Sequence, residues 1–354
     1  MVMGSGGSAF GQGAAAAHFI YLESRLEALC IQIEFAFAKF SLVSRILTQR
    51  GIKMGTKIRK FMNKESTCGF VFALPFTIGF LLFLLVPMLI SLHYSFCDYN
   101  ILTPAKFTGV SNYIKMFTGD ETFLHSLKAT FYFAFVSVPL KLVFALIVAM
   151  ILEKNSKMSG FYRAAYYLPS IIGGSVAVAV LWKRMFAVDG TVNSLLQMVG
   201  IDCHRAWLGD TKTAIWVLII LTVWQFGSSM LVFLASLKQI PVDLYEAARV
   251  DGSGKINTFF RITLPLLTPT IFFNLVMQMI NGFLAFTQSL IITQGKPMDT
   301  TLFYAVYMYQ QSFQFNNAGY GAAMAWVMLV IIGLFTLLLF KTKKFWVYDA
   351  GDSE

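Results

Sequence analysis

The chain has 354 residues, 57% of them hydrophobic and only 13% charged, and its mean hydropathy is +0.66. Globular domains carry about 45–50% apolar and about 25% charged residues, so composition argues against a soluble enzyme, a nucleic-acid-binding domain and a disordered regulator. The net charge of +10 is then the positive-inside bias of a membrane protein, and no nucleic-acid partner is expected. Cys30, Cys68, Cys97 and Cys203 show no CxxC spacing, which excludes a disulfide scaffold and leaves no zinc or iron–sulfur signature. The Cys203-His204 pair reads as an ordinary polar loop, and neither a metal nor a cofactor is expected.

Residues 1–53 differ from the rest. Ser5–Ala17 has linker composition, and Phe19–Leu47 mixes apolar residues with Glu23, Arg25, Glu27, Glu34, Lys39 and Arg45. Those charges disqualify it as a span, and no basic flank with an apolar centre marks a signal peptide. Either it is an amphipathic surface helix or translation begins at Met54. The second is the expectation, and the intact mass of the native protein tests it. Residues 54–68, with Lys57, Arg59, Lys60 and Lys64, form a basic flank; 69–341 form the membrane domain, and 342–354 a cytoplasmic tail.

A helix needs about 20 apolar residues to cross a bilayer. Six runs qualify: Gly69–Ser95, Ala129–Leu152, Tyr166–Trp182, Ala214–Leu237, Leu266–Ile292 and Tyr320–Phe340. Gly173 and Gly174 interrupt the third. No run alternates as a membrane barrel strand would, so the fold class is all-α and polytopic with six transmembrane helices. With the N-terminus inside, 19 Lys and Arg fall on the cytoplasmic side and 8 on the other, which places both termini in the cytoplasm.

Between the fourth and fifth spans the chain reads IPVDLYEAARVDGSGKINTFFRITLPLLTP, Ile240–Pro269. Pro241 fits the first turn of a short helix, Asp243 complements its dipole, and Gly252 suits a left-handed stop. Leu244, Ala247 and Ala248 share one face with Tyr245 beside it, and two exposed alanines would let another protein approach closely. A second stretch, Ile256–Ile262, is expected to end at Pro265. Gly252-Ser253-Gly254-Lys255 imitates the end of a phosphate-binding loop, but Arg249 and Ile256 occupy the positions of its first glycine and its hydroxyl, so no nucleotide site is expected.

In order, Glu246, Ala247, Ala248, Asp251, Gly252, Phe259, Ile262, Leu264, Pro265 and Pro269 resemble the EAA loop of ATP-binding-cassette (ABC) import permeases, with Ser253 in place of an alanine. Tyr167-Leu168-Pro169, Trp182, Gly190 with Asn193, Leu237 and Ile240-Pro241, and Tyr320-Gly321 with Ala323 extend the resemblance to the carbohydrate-uptake branch, which is maltose-transporter-permease-like, over roughly Thr67–Phe340. Thr293-Gln294-Gly295-Lys296-Pro297 departs from it, since that branch usually has two glycines before the proline. If the second required a positive φ, Lys296 would be strained.

The resemblance implies the MetI-like, type I importer fold. It also implies a second homologous permease, two ABC ATPase subunits and an extracytoplasmic solute-binding protein as partners, and a bacterial plasma-membrane location. It assigns Glu246, Ala247, Ala248, Asp251 and Gly252 to the ATPase contact, with ATP hydrolysed by the partners and no catalytic residue here. Leu302–Phe315 is a candidate docking surface for the binding protein.

Polar side chains inside spans mark a path or a helix contact. Asn274, Gln278, Asn281 and Gln288 follow at i, i+4, i+7 and i+14 along the fifth span and fall on one helical face, with Ala285 on the same face leaving room beside them. Trp224, Gln225, Ser228 and Ser229 add to it from the fourth. Amides offer donors and acceptors to sugar hydroxyls, and a Trp ring stacks on a pyranose, so a sugar or oligosaccharide is the expected substrate. Helix–helix hydrogen bonding is the competing explanation. Lys141, in the second span, lacks an acidic partner within any span, and pairing with backbone carbonyls is expected. The alternatives are an ion-driven secondary transporter, which should show intramembrane carboxylates or an inverted repeat, a membrane enzyme, and a permease for a non-sugar solute such as glycerol phosphate.

Overall fold

The computed structural model describes residues 65–153, 158–201 and 204–348. The expectations for residues 1–64 and for Cys203 lie outside the described residues. The chain divides into two compact units, Met1–Leu84 and Leu85–Glu354. In the first, the described part is helix α1 (Glu65–Phe80) leading into a π-helical turn (Leu81–Leu85). Its Phe76, Leu82 and Phe83 are exposed, as suits a helix solvated by lipid.

The second unit begins with α2 (Val86–Ser95), a two-residue hairpin of β1 (Cys97–Asp98) and β2 (Lys106–Phe107), and α3 (Ser111–Thr118). In the hairpin, Cys97 pairs with Phe107 and Asp98 with Lys106. Asn112 Nδ2 donates to the Ser95 and Cys97 carbonyls, both at 2.9 Å, and ties α3 to the end of α2.

Helix α4 (Glu121–Glu153) is the centre of the unit. It packs against α8 (Ala214–Trp224), α9 (Gly227–Leu237), α12 (Leu264–Phe283) and α13 (Tyr304–Tyr309). Apolar side chains gain little from leaving lipid, so helices in a bilayer associate through close packing, which small residues permit. On α4 these are Ser126, Ala129, Ala134, Ser137, Ala145 and Ala149, all buried. Gly282 of α12 sits so close that an added Cβ would lie 3.2 Å from the Ala134 Cβ. Phe283 fills the next layer, edge-on to Phe131 and Phe335 with ring centroids 5.0 and 5.4 Å away.

Among the described residues, four helices are long and apolar enough to cross a membrane: Ala73–Ser95, Glu121–Glu153, Lys255–Phe283 and Ala318–Trp346. The third and fourth expected spans are bent pairs, and counting each as one gives six. In the third, α5 (Ser159–Ile172) and α6 (Val176–Met185) meet at 96°. The break is packed as well as glycine-rich. A Cβ on Gly173 would lie 2.5 Å from Gln225 Cγ, and Ser175 caps α6 by accepting from the Val178 amide at 3.3 Å. In the fourth, α8 and α9 bend by 42° at Gln225-Phe226, where the Gly227 backbone lies against Tyr166 and Tyr167.

The fifth span departs most from expectation. Pro265 does not end the preceding stretch. Helix α11 (Lys255–Thr258) continues through a π-helical turn (Phe259–Thr263) into α12, one run from Lys255 to Phe283. Proline lacks the N–H for an i−4 bond and its ring crowds that carbonyl; the π turn, with Leu264 N–H on the Phe259 carbonyl, widens the helix just before it. One turn on, Thr268 Oγ1 donates to the Pro265 carbonyl that Pro269 cannot satisfy, at 2.6 Å. The helix then stops at Phe283 instead of reaching Ile292. After the turn at Leu284 the chain forms a separate π-helical segment (Ser289–Thr293).

Helix α7 (Thr191–Met198) is short and follows a tight turn: a Cβ on Gly190 would lie 2.4 Å from the Met185 carbonyl. Buried Asn193 holds that turn, donating to the Val188 and Arg205 carbonyls and accepting from Trp207 Nε1. The last helix, α14 (Ala318–Trp346), runs past the expected boundary at 341 and ends with Trp346 edge-on to Phe272 of α12.

Candidate functional site

The loop expected to couple the chain to a partner forms α10 (Val242–Val250). Pro241 is its N-cap, one position before the expected first turn, and Asp243 lies in the first turn. Gly252 has φ +72°, the Ser253 amide donates to the Ala248 carbonyl at 2.8 Å, and the Gly252 amide donates to the Arg249 carbonyl at 3.1 Å. These two bonds are the Schellman termination, so the stop read at Gly252 is present and rigid. Glu246, Ala247 and Asp251 are exposed, as are Val242, Leu244 and Val250. Ala248 is not: at 8% exposure it packs on its own chain, which leaves one alanine rather than two on the open face. Tyr245 Oη and Thr263 Oγ1, 3.1 Å apart, join α10 to the π turn at the foot of α12.

Helix α12 carries the amides. Asn274 is 3% exposed and donates to the Thr270 carbonyl one turn back. Gln278 is half-buried and Asn281 exposed. Gln288 does not continue this face, because α12 has already stopped; from its own segment its Oε1 accepts from Thr222 Oγ1 of α8 at 3.0 Å. Ala285 lies in the intervening turn. Lys141 is 7% exposed, and its Nζ donates to Gln278 Oε1 at 2.9 Å, not to a backbone carbonyl. A lysine near mid-membrane costs about 2.5–3.5 kcal/mol on insertion scales, and the side-chain amide on the adjacent helix α12 offsets part of that.

Of the α8–α9 residues, Trp224 packs against Trp182 in a tilted arrangement with centroids 5.6 Å apart, and Trp182 Nε1 donates to the Val217 carbonyl. Gln225 braces the bent joint: Nε2 donates to the Gly173 carbonyl, and its own carbonyl accepts from Ser170 Oγ, both at 3.0 Å. Ser228 is exposed and Ser229 buried. An open cavity of about 480 Å³ near the start of α4, lined by His125, Lys128, Lys212 and Asp299 among others, shares no residue with this amide set.

The first part of Leu302–Phe315 is core. Leu302 to Tyr307 are buried, and only its far end, Phe313 to Phe315, is exposed. The left-handed positions nearby fall on Gln294 (φ 55°), Gly295 (φ 85°), Met298 (φ 48°) and Asp299 (φ 55°), so Lys296 carries no such strain. Asp120 organises this end. Its Oδ2 accepts from the Tyr307 and Tyr320 hydroxyls at 2.7 and 2.6 Å, and its Oδ1 accepts the Phe123 amide at 3.0 Å. Burial and then the Asp120 bond push the Tyr307 phenol well above its ordinary pKa, so it stays a donor. Asp210, before α8, is held below the usual carboxylate range by the Lys212 amide and the Arg205 side chain. An Asp three residues ahead of an apolar run is a readable cap; nothing local announces its two tyrosines.

The model of the family described as binding-protein-dependent transport system inner membrane component matches residues 122–342. The chain belongs to this family and has the fold of an ABC importer permease. Among its relatives, the probable ABC transporter permease protein YesP of Bacillus subtilis is 51% identical over 84% of this chain and 97% of that protein. The probable starch degradation products transport system permease protein AmyD of Thermoanaerobacterium thermosulfurigenes is 31% identical over 77% and 93%. In fold the chain resembles a permease in the crystal structure of a bacterial alginate ABC transporter in complex with alginate pentasaccharide-bound periplasmic protein. That likeness has a TM-score of 0.69 at 22% identity and covers 79% of this chain and 95% of that one.

Proposed function

We propose that this chain forms half of the membrane path of an ATP-driven importer for a sugar or oligosaccharide, beside a second homologous permease. In this reading two ABC ATPases on the cytoplasmic side receive α10 through Glu246, Ala247 and Asp251, and an extracytoplasmic binding protein delivers substrate. The observation that carries it is mechanical. A short helix with a hydrogen-bonded stop at Gly252 is linked through Tyr245 and Thr263 to α12, the helix that bears Asn274, Gln278 and Asn281. Movement of α10 by a closing ATPase is thereby delivered to the helix that lines the path. Glu246 would accept a charge-assisted hydrogen bond from the partner, and this chain performs no covalent chemistry. Relatives named for sugar transport, such as AmyD, support the substrate class. An ion-driven carrier is disfavoured because the acidic residues of the described spans, Glu121 and Glu153, stand at the two ends of α4.

Replacing Glu246 and Gly252 together by Ala should abolish uptake and release the ATPase on purification, with the chain still inserted in the membrane. Unchanged uptake and unchanged ATPase recovery would refute the assignment.

A further inference from the structure

Resting on the importer reading, we propose that Lys141 and Gln278 form an acid-reading element of the path, and that the transported oligosaccharide carries carboxylates, as hexuronates do. Lys141 lies on the inward face of α4, among Val138, Leu142 and Ala145, and reaches Gln278 of α12 from behind. Its bond takes one of the two acceptor positions of the amide oxygen. Gln278 keeps both donors of its Nε2 group for its half-exposed side, against one remaining acceptor position.

A set built from amides alone would present donors and acceptors alike to neutral hydroxyls, as Asn281 still can. The Lys141 bond biases the middle of the set toward donation and places a cation behind it. Along the described spans no acidic side chain stands inside a helix to neutralise that cation, since Glu121 and Glu153 occupy the ends of α4. Away from water such a charge acts over a longer range than at a surface. It contributes little to binding a neutral sugar and attracts a carboxylate, so it separates the two by electrostatics rather than by shape. Lys141 is then a positioning residue that acts through Gln278, and the hydroxyls of the same ligand remain for the exposed Asn281.

The complete importer, with both permeases, both ATPases and its binding protein, is reconstituted in vesicles and given hexuronate di- to tetrasaccharides and their carboxyl-reduced, neutral counterparts. Each variant is compared with wild type as the ratio of acidic to neutral uptake, so selection by the binding protein cancels. Wild type should favour the acidic series. Lys141→Met should lower the ratio roughly tenfold, the change expected from removing a weakly screened positive charge behind Gln278, while Lys141→Arg should keep most of it. Gln278→Glu, which sets a carboxylate against Lys141 and preserves shape, should lower the ratio as Lys141→Met does. Co-purification of the ATPases confirms assembly of each variant. Wild-type uptake of the neutral series alone would overturn the proposal and leave the importer reading standing. Equal losses of both series in Lys141→Met and Gln278→Glu would overturn it in favour of a structural brace or a carboxylate on the partner permease. Absence of uptake for every oligosaccharide would remove the importer reading and this proposal with it.

Discussion

At Asp120 one carboxylate caps α4 through Oδ1 and receives two phenol hydrogen bonds through Oδ2, which ties the start of α4 to α13 and α14. A lost helix cap costs about 1 kcal/mol, and each hydrogen bond to a charged acceptor contributes about 1.5–3 kcal/mol. Asp120→Ala should therefore lower the aggregation temperature of the purified protein by several degrees, and Tyr307→Phe by less; equal and negligible shifts would show that the hub is not holding these helices. The cap is readable from local sequence, but the tyrosines lie 187 and 200 residues away. The same holds for Lys141. Hydropathy alone says that a lysine in an apolar run needs a partner. Which group supplies it depends on how α4 and α12 cross, and Gln278 is 137 residues distant.

Elements whose character is set by neighbours within one turn were legible: α10 with its glycine stop, and the long apolar helices. Their bends and ends were less so. Gly173 marked an interruption, but the 96° turn at that point depends on Gln225 filling the space where a side chain would stand. The halt of α12 at Phe283 follows from burial of that ring between α4 and α14, with no proline or glycine after it to signal a stop. Gly227 tests how far a bend depends on close backbone approach, because a Cβ there would lie 2.4 Å from the Tyr166 carbonyl. Overpacking typically costs about 1–3 kcal/mol, and backbone cannot move aside as a side chain can. Gly227→Val should sharply reduce recovery of folded protein in detergent, while Gly174→Ala, with nothing within 4 Å, should match wild type. Similar recovery of the two would mean that the α5–α9 contact is loose.

For the whole molecule, the proposed transport path rests on one face of α12 joined at its foot to α10. Asn274→Leu, Gln278→Leu and Asn281→Leu combined should abolish uptake while the chain still assembles with its ATPases; retained uptake would place the path elsewhere. The membrane class, the helical spans and the short helix α10 with its glycine stop were written in the chain because each depends on composition or on residues a few positions apart. Hydropathy ranks how apolar a residue is but carries no direction, so it could not tell which amide faces a partner helix and which faces the path. Folding sorted them: Gln225 became a brace and Gln288 left the line for Thr222. Gln278 took Lys141, because those contacts form only where distant helices cross.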